Sequence, residues 1–142
     1  MRLATAIPIA GRQRLAPHHA TALLVGEDSV VLHSYGTMLE RYGYRVKISN
    51  SYHEGARLLA DEPFHFVMVS QGTPKFEGSC VVKRATEIDR RLPVLVVARC
   101  LDMDCYLEAM QLGAVDYLVE PVTPSDLGRV IEQHLPVQSL AA

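Results

Sequence analysis

A chain of 142 residues is the length of one domain and long enough to bury one full core. Its 49% hydrophobic and 21% charged residues form an ordinary globular balance, which excludes a disordered chain. The formal charge of −2 is unevenly spread: Arg2, Arg12 and Arg14 lie in a segment without acids, so residues 21–142 hold 11 basic against 16 acidic residues, which argues against a broad nucleic-acid surface.

Residues 1–20 show no clear period and contain Pro8, Gly11, Pro17 and the pair His18-His19, so they are expected to form an N-terminal tail, free or lying on the body. Pro8, Gly11 and Arg12 interrupt the apolar residues before a signal-peptide core can form. No apolar run reaches the roughly 18 residues of a membrane span. Cys80, Cys100 and Cys105 are odd in number and lack CxxC spacing, a pattern that suits inert thiols in a reducing compartment better than a disulfide framework. The expected location is the cytoplasm.

From Thr21 onward, short apolar runs alternate with helical patterns. The runs are Ala22–Val25, Tyr44–Ile48, Phe64–Val69, Pro93–Val97 and Val115–Val119. Most are β-branched and nearly continuous, as in parallel strands covered on both faces. The first intervening helix is predicted to be capped by Ser29 and to run to about Tyr42, with Val31, Tyr35, Met38, Leu39 and Tyr42 on one face and Gly36 weakening it. Ser51 and Glu54 form a capping box ahead of Ala56, Leu59 and Ala60, and Pro63 closes that helix. A third helix is expected from Gly78 to Arg90, with Val81, Val82, Ala85 and Ile88 inward. A fourth begins near Asp102, presents Met103, Leu107 and Met110, and stops at Gly113. In the fifth, Thr123 is the cap and Pro124 the first helical residue, with Leu127, Val130, Ile131, His134 and Leu135 on one face. Five βα units joined by right-handed crossovers give a doubly wound α/β sheet, which binds ligands at the carboxyl ends of its strands. The expected domain covers 21–136, followed by a short tail at 137–142.

Those strand ends carry the polar residues. The first ends in Gly26-Glu27-Asp28, and two adjacent acids there suit a hard cation such as Mg2+, or else solvated loop positions with Asp28 favoured by a helix dipole. The third ends in Val69-Ser70-Gln71-Gly72-Thr73-Pro74, the fourth in Val97-Ala98-Arg99, and the fifth in Val119-Glu120-Pro121. No P-loop, zinc spacing or Ser-His-Asp arrangement is present. Nor is there a Gly/Ser/Thr-rich cradle for a flavin or nucleotide phosphate, which Glu27-Asp28 would repel.

Residues 21–136 resemble the receiver domain of two-component response regulators. The resemblance rests on Glu27-Asp28, the loop proline four residues past Ser70, Gly78 eight past it, Leu92-Pro93 before the fourth strand, and Gly-Ala-x-x-Tyr-x-x-x-Pro at 113–121. It implies a flavodoxin-like (βα)5 fold with strand order 2-1-3-4-5. It also implies that Ser70 stands where the family has its phosphoacceptor aspartate, Ala98 where it has a threonine or serine, and Glu120 where it has a lysine. Only the acid pair and the switch aromatic, Tyr117, match. A serine hydroxyl without a neighbouring base is a poor nucleophile, Ala98 offers no hydrogen bond, and Glu120 repels a phosphoryl group.

The expectation is therefore a receiver-like signalling module that is not an enzyme, holds no cofactor and works through a protein partner without being phosphorylated. The family's partner or dimer face is helix four, strand five and helix five, which here brings in Met103, Leu107, Asp116 and Arg129. The alternative keeps regulation at the pocket, through modification of Ser70 or a magnesium site rebuilt from Glu27, Asp28 and Glu120. No helix-turn-helix pattern follows Leu135, so output is expected through a partner or a larger protein, with no direct contact to nucleic acid or membrane.

Overall fold

The computed structural model describes residues 15–135; the tail arginines and residues 137–142 lie outside the described residues. Five strands, β1 (Thr21–Val25), β2 (Arg45–Ser49), β3 (Phe66–Ser70), β4 (Val94–Ala98) and β5 (Asp116–Val119), alternate with five helices, α1 (Ser29–Arg41), α2 (Tyr52–Asp61), α3 (Ser79–Ile88), α4 (Met103–Leu112) and α5 (Pro124–His134). The strands are all parallel and lie in the order β2-β1-β3-β4-β5, the doubly wound fold expected from the alternation. Each strand starts or ends one or two residues from its predicted bounds, an ordinary uncertainty at element ends.

The pleat sorts alternate residues onto two cores. Leu23, Val25, Val67, Val69, Val94 and Val96 face α2, α3 and α4, where they meet Leu58, Val82, Ala85, Cys105 and Ala109. Leu24, Phe66, Met68, Leu95 and Val97 face α1 and α5, where they meet Leu32, Tyr35, Leu39, Leu127 and Ile131. β1, β3 and β4 are thus covered on both sides, which explains their continuous apolar runs. β2 is an outer strand; its Arg45 and Lys47 are exposed, and Lys47 Nζ reaches Glu62 at the end of α2 at 2.6 Å. Residues ahead of β1 lie on the body near this edge: the Ala16 amide donates to Tyr42 O at 2.6 Å, and Arg45 bonds His19 Nδ1 at 3.1 Å.

Several local expectations need correction. Asp28, not Ser29, caps α1: its backbone is extended while Ser29 is already helical, and its carboxylate accepts from the amides of Val30 and Val31. Ile88 is 48% exposed at the end of α3, which stops two residues short of the predicted Arg90 and buries Val81, Val82 and Ala85. His134 is exposed because Ile131 and Leu135 take the inward positions at the end of α5, and Ala60 is exposed because Gly55, Leu58 and Leu59 form the inner face of α2. Gly36 is buried in α1, where a Cβ would stand 3.3 Å from Val46; its lack of a side chain lets α1 approach β2. Ser51, Asp102 and Thr123 cap their helices, and Gly113 closes α4 with φ at 106°. The capping box is half formed, because the Glu54 carboxylate pairs with Arg57 and the Ser51 amide donates to the Ser49 hydroxyl.

Candidate functional site

The carboxyl ends of β1, β3, β4 and β5 enclose a polar cavity of about 140 Å³. Its lining brings together Glu27, Asp28, Ser70 and Glu120, four of the six residues that the resemblance groups there, and adds Arg99, Tyr52 and Thr73. Ala98 and Tyr117 do not line it; both are buried in the core beside it.

Close backbone packing fixes the position of residue 70. A Cβ at Gly26 would collide with the Ser70 hydroxyl, and a Cβ at Gly78 would collide with the Ser70 carbonyl oxygen. Only glycine fits either approach. The loop after Ser70 is ordered from within: the Glu77 carboxylate accepts from the Thr73 amide at 2.7 Å and from its hydroxyl at 2.8 Å. These bonds, the hydroxyl foremost, hold the Glu77 carboxyl below its ordinary pKa. Gly72 takes a positive φ of 88°, and Phe76, at φ 57°, turns its ring into the core.

The charges of the pocket are not locked together. Among the described residues, the side chains of Glu27, Glu120 and Arg99 make no ion pair or hydrogen bond, while Asp28 is committed to the cap of α1. No group of three or more His, Cys, Asp or Glu among the described residues is set to hold a metal ion. With one carboxylate turned to helix amides and a neutral serine at the end of β3, this donor set does not fit the near-octahedral oxygen shell that magnesium demands. The Tyr52 hydroxyl is buried at the cavity wall with no hydrogen-bond partner in the described residues. Burial, reinforced by Glu27 and Glu77, pushes its pKa up to about 12.

A second polar centre sits behind the cavity; Tyr117 is part of the resemblance, whereas nothing in the sequence marks its partner. Gln71, next to Ser70, is buried, and its side-chain oxygen accepts a hydrogen bond from the Tyr117 hydroxyl. That hydroxyl in turn accepts from the Asp102 amide at 3.3 Å, and the edge of the Tyr106 ring packs against Tyr117 with centroids 5.5 Å apart. Burial raises the Tyr117 pKa.

The predicted contact residues differ in exposure and in partners. Met103 and Leu107 are 56% and 49% exposed on α4, joined by exposed Leu101, Met110 and Val119. Asp116 and Arg129 instead face each other across β5 and α5 at 3.9 Å, as a half-exposed pair within the chain. Cys80 and Cys100 are exposed and Cys105 is buried, all three as free thiols.

Comparison with known proteins agrees with this architecture. The family model described as response regulator receiver domain matches residues 22–132. The chain is 30% identical over 120 residues to the alginate biosynthesis transcriptional regulatory protein AlgB of Pseudomonas aeruginosa, covering 84% of this chain and 27% of that protein. It thus spans about a quarter of the length of the curated relatives it matches. Among solved structures, the CheY-like receiver domain protein of Methanospirillum hungatei superposes with a TM-score of 0.74 at 25% identity, over 81% of this chain and 92% of that one. A receiver domain protein of Clostridium thermocellum gives 0.73 at 27% identity, over 82% and 94%.

Proposed function

Because the chain belongs to the response regulator receiver domain family, we propose that it is a receiver that signals without being phosphorylated, through a protein partner on the face of α4, β5 and α5. One observation carries this reading: Ser70 ends β3 at the floor of the polar cavity, where the resemblance calls for an acceptor aspartate. The surroundings support it. Ala98 ends β4 with no hydroxyl, and Glu120 contributes a carboxylate where the family has a lysine. A phosphoryl group there would meet two unpaired carboxylates, opposed only by Arg99. A serine hydroxyl with no hydrogen-bonded base does not attack phosphorus readily. The module is not an enzyme on this reading and works in the cytoplasm; no described helix is long and apolar enough to cross a membrane. The apolar stretch of Leu101, Met103 and Leu107 provides the contact surface, an exposed cluster of the kind that marks an interaction site.

The test is incubation with acetyl phosphate and millimolar magnesium, followed by intact-mass spectrometry. No adduct is expected. A stoichiometric phosphoryl adduct on Asp28, Glu27 or Ser70 would overturn the reading.

A further inference from the structure

We infer that Gln71 is an internal pin: by holding the Tyr117 hydroxyl inside the core, it fixes α4 and its apolar face in one arrangement that no chemistry at residue 70 is needed to set. The inference deepens the phosphorylation-free reading and rests on it.

Gln71 and Ser49 are the two buried polar residues among those described, and Gln71 is only 4% exposed. A buried amide is tolerated when its polar atoms are matched. Here the side-chain oxygen receives the Tyr117 hydroxyl, and the side-chain nitrogen donates to Thr73 O at 3.4 Å. The Gln71 backbone is tied as well, its amide to Val97 O at 2.8 Å and its carbonyl to the Gly78 amide at 3.2 Å. The acceptor is therefore held in place by β4 and by the start of α3.

From Tyr117 the connection runs into α4. Its oxygen accepts the amide of Asp102, the residue that caps α4 by taking the Cys105 amide at 3.0 Å. The Cys105 thiol bonds Pro74 O at 3.4 Å, a second tie between α4 and the loop that begins at Gln71. Were the Tyr117 ring to leave, a buried acceptor and the Asp102 amide would both lose their partner. The space packed by Tyr106 and Ala98 would also open. Ala98 carries no hydroxyl to compete for Tyr117, so Gln71 is its one side-chain hydrogen-bond partner among the described residues. Leu101 and Met103 flank the pinned cap directly, which couples the pin to the proposed contact surface.

The test uses the full chain labelled with 3-fluorotyrosine, the Tyr117 resonance being the one missing from Tyr117→Phe. The wild type should show one sharp Tyr117 resonance, unmoved by beryllofluoride with magnesium. Gln71→Leu, close in volume but without an acceptor, should split or exchange-broaden it. Hydrogen exchange at the Asp102 amide should quicken at least about tenfold in both Gln71→Leu and Tyr117→Phe, as a lost tertiary bond opens a local route to exchange. An unchanged Tyr117 resonance in Gln71→Leu overturns the pin while leaving the phosphorylation-free reading intact. A wild-type resonance that moves with beryllofluoride overturns that reading instead. If Gln71→Leu does not fold, Tyr117→Phe decides alone: unchanged protection of the Asp102 amide overturns the pin.

Discussion

The Asp28 carboxylate accepts the amides of Val30 and Val31 at 3.1 and 3.3 Å, and this commitment governs what the acid pair at the end of β1 can do. A carboxylate cap satisfies two amides at the positive end of α1, where its charge is favoured by the helix dipole. Asp28→Ala should destabilise the protein by about 1 kcal/mol, whereas Asp28→Asn, which keeps the cap, should cost only a few tenths. Urea denaturation of the two variants checks this. If Asn costs as much as Ala, the charge matters more than the cap, and a cation becomes the better account of the pair. The resemblance grouped Glu27, Asp28, Ser70 and Glu120 at one pocket, at the carboxyl ends of the strands where a doubly wound sheet binds its ligands. It assigned the cap to Ser29 because two good capping residues stand side by side, and only backbone angles separate them. Gln71 and Tyr52 were invisible: a glutamine looks like any loop residue until a partner from a distant strand meets it, and nothing in Ser51-Tyr52 signals that the hydroxyl turns inward.

α4 shows how much of an element follows from its period alone. Asp102 and Gly113 mark its ends in the sequence, and both take those roles. Its inner face is narrow, only Cys105 and Ala109 being buried, so Met103, Leu107 and Met110 are left in water. The period correctly grouped them, and the sheet decides that this group is the outer one. Leu107→Glu should leave stability within about 0.5 kcal/mol, since the side chain is 49% exposed and belongs to neither core. If α4 is the contact surface, the same change should abolish partner binding or self-association, read by sedimentation at several concentrations. Association that survives it places the interface elsewhere. The pairing of Asp116 with Arg129 changes what their reversal means. Each single reversal first breaks a weak pair inside the chain, so only a double reversal that restores the pair isolates a contact to a partner. Ile88 and His134 are misplaced because both close their helices on the exposed side, and the period alone does not decide which residue of a last turn meets the core.

For the whole molecule, both cores contain groups that resist ionisation. Burial pushes the Tyr44 hydroxyl, on the α1 and α5 side, up to about 12, and Tyr52 likewise to about 12. Burial, followed by the Asp102 carboxylate, pushes the Cys105 thiol from 9.0 up to about 11. A group whose pKa is raised by folding adds stability that is intact below its unfolded value and lost as pH climbs through its folded one. The melting temperature should therefore be level from pH 7 to about 9 and then fall steadily toward pH 12. Scanning calorimetry across that range checks it, and Tyr44→Phe should make the decline shallower. A profile as steep in Tyr44→Phe as in the wild type would remove Tyr44 from this account. The order of the strands was legible only through resemblance, since periodicity counts strands and gives their direction but not their neighbours.

The outer strand β2 has a consequence for crowded solution. Its exposed positions are Arg45 and Lys47, and lysine and arginine on an open strand discourage a second chain from adding its own backbone there. Two copies in concentrated solution are therefore expected to stay apart along this edge, without their sheets fusing into one. Lys47→Val should remove that safeguard. Such a variant is expected to scatter light and lose monodispersity during storage at high concentration, at a folding stability close to that of the parent. The expected effect of the two charges on β2 is on colloidal behaviour, a property that belongs to the population of molecules and not to the fold of any one of them.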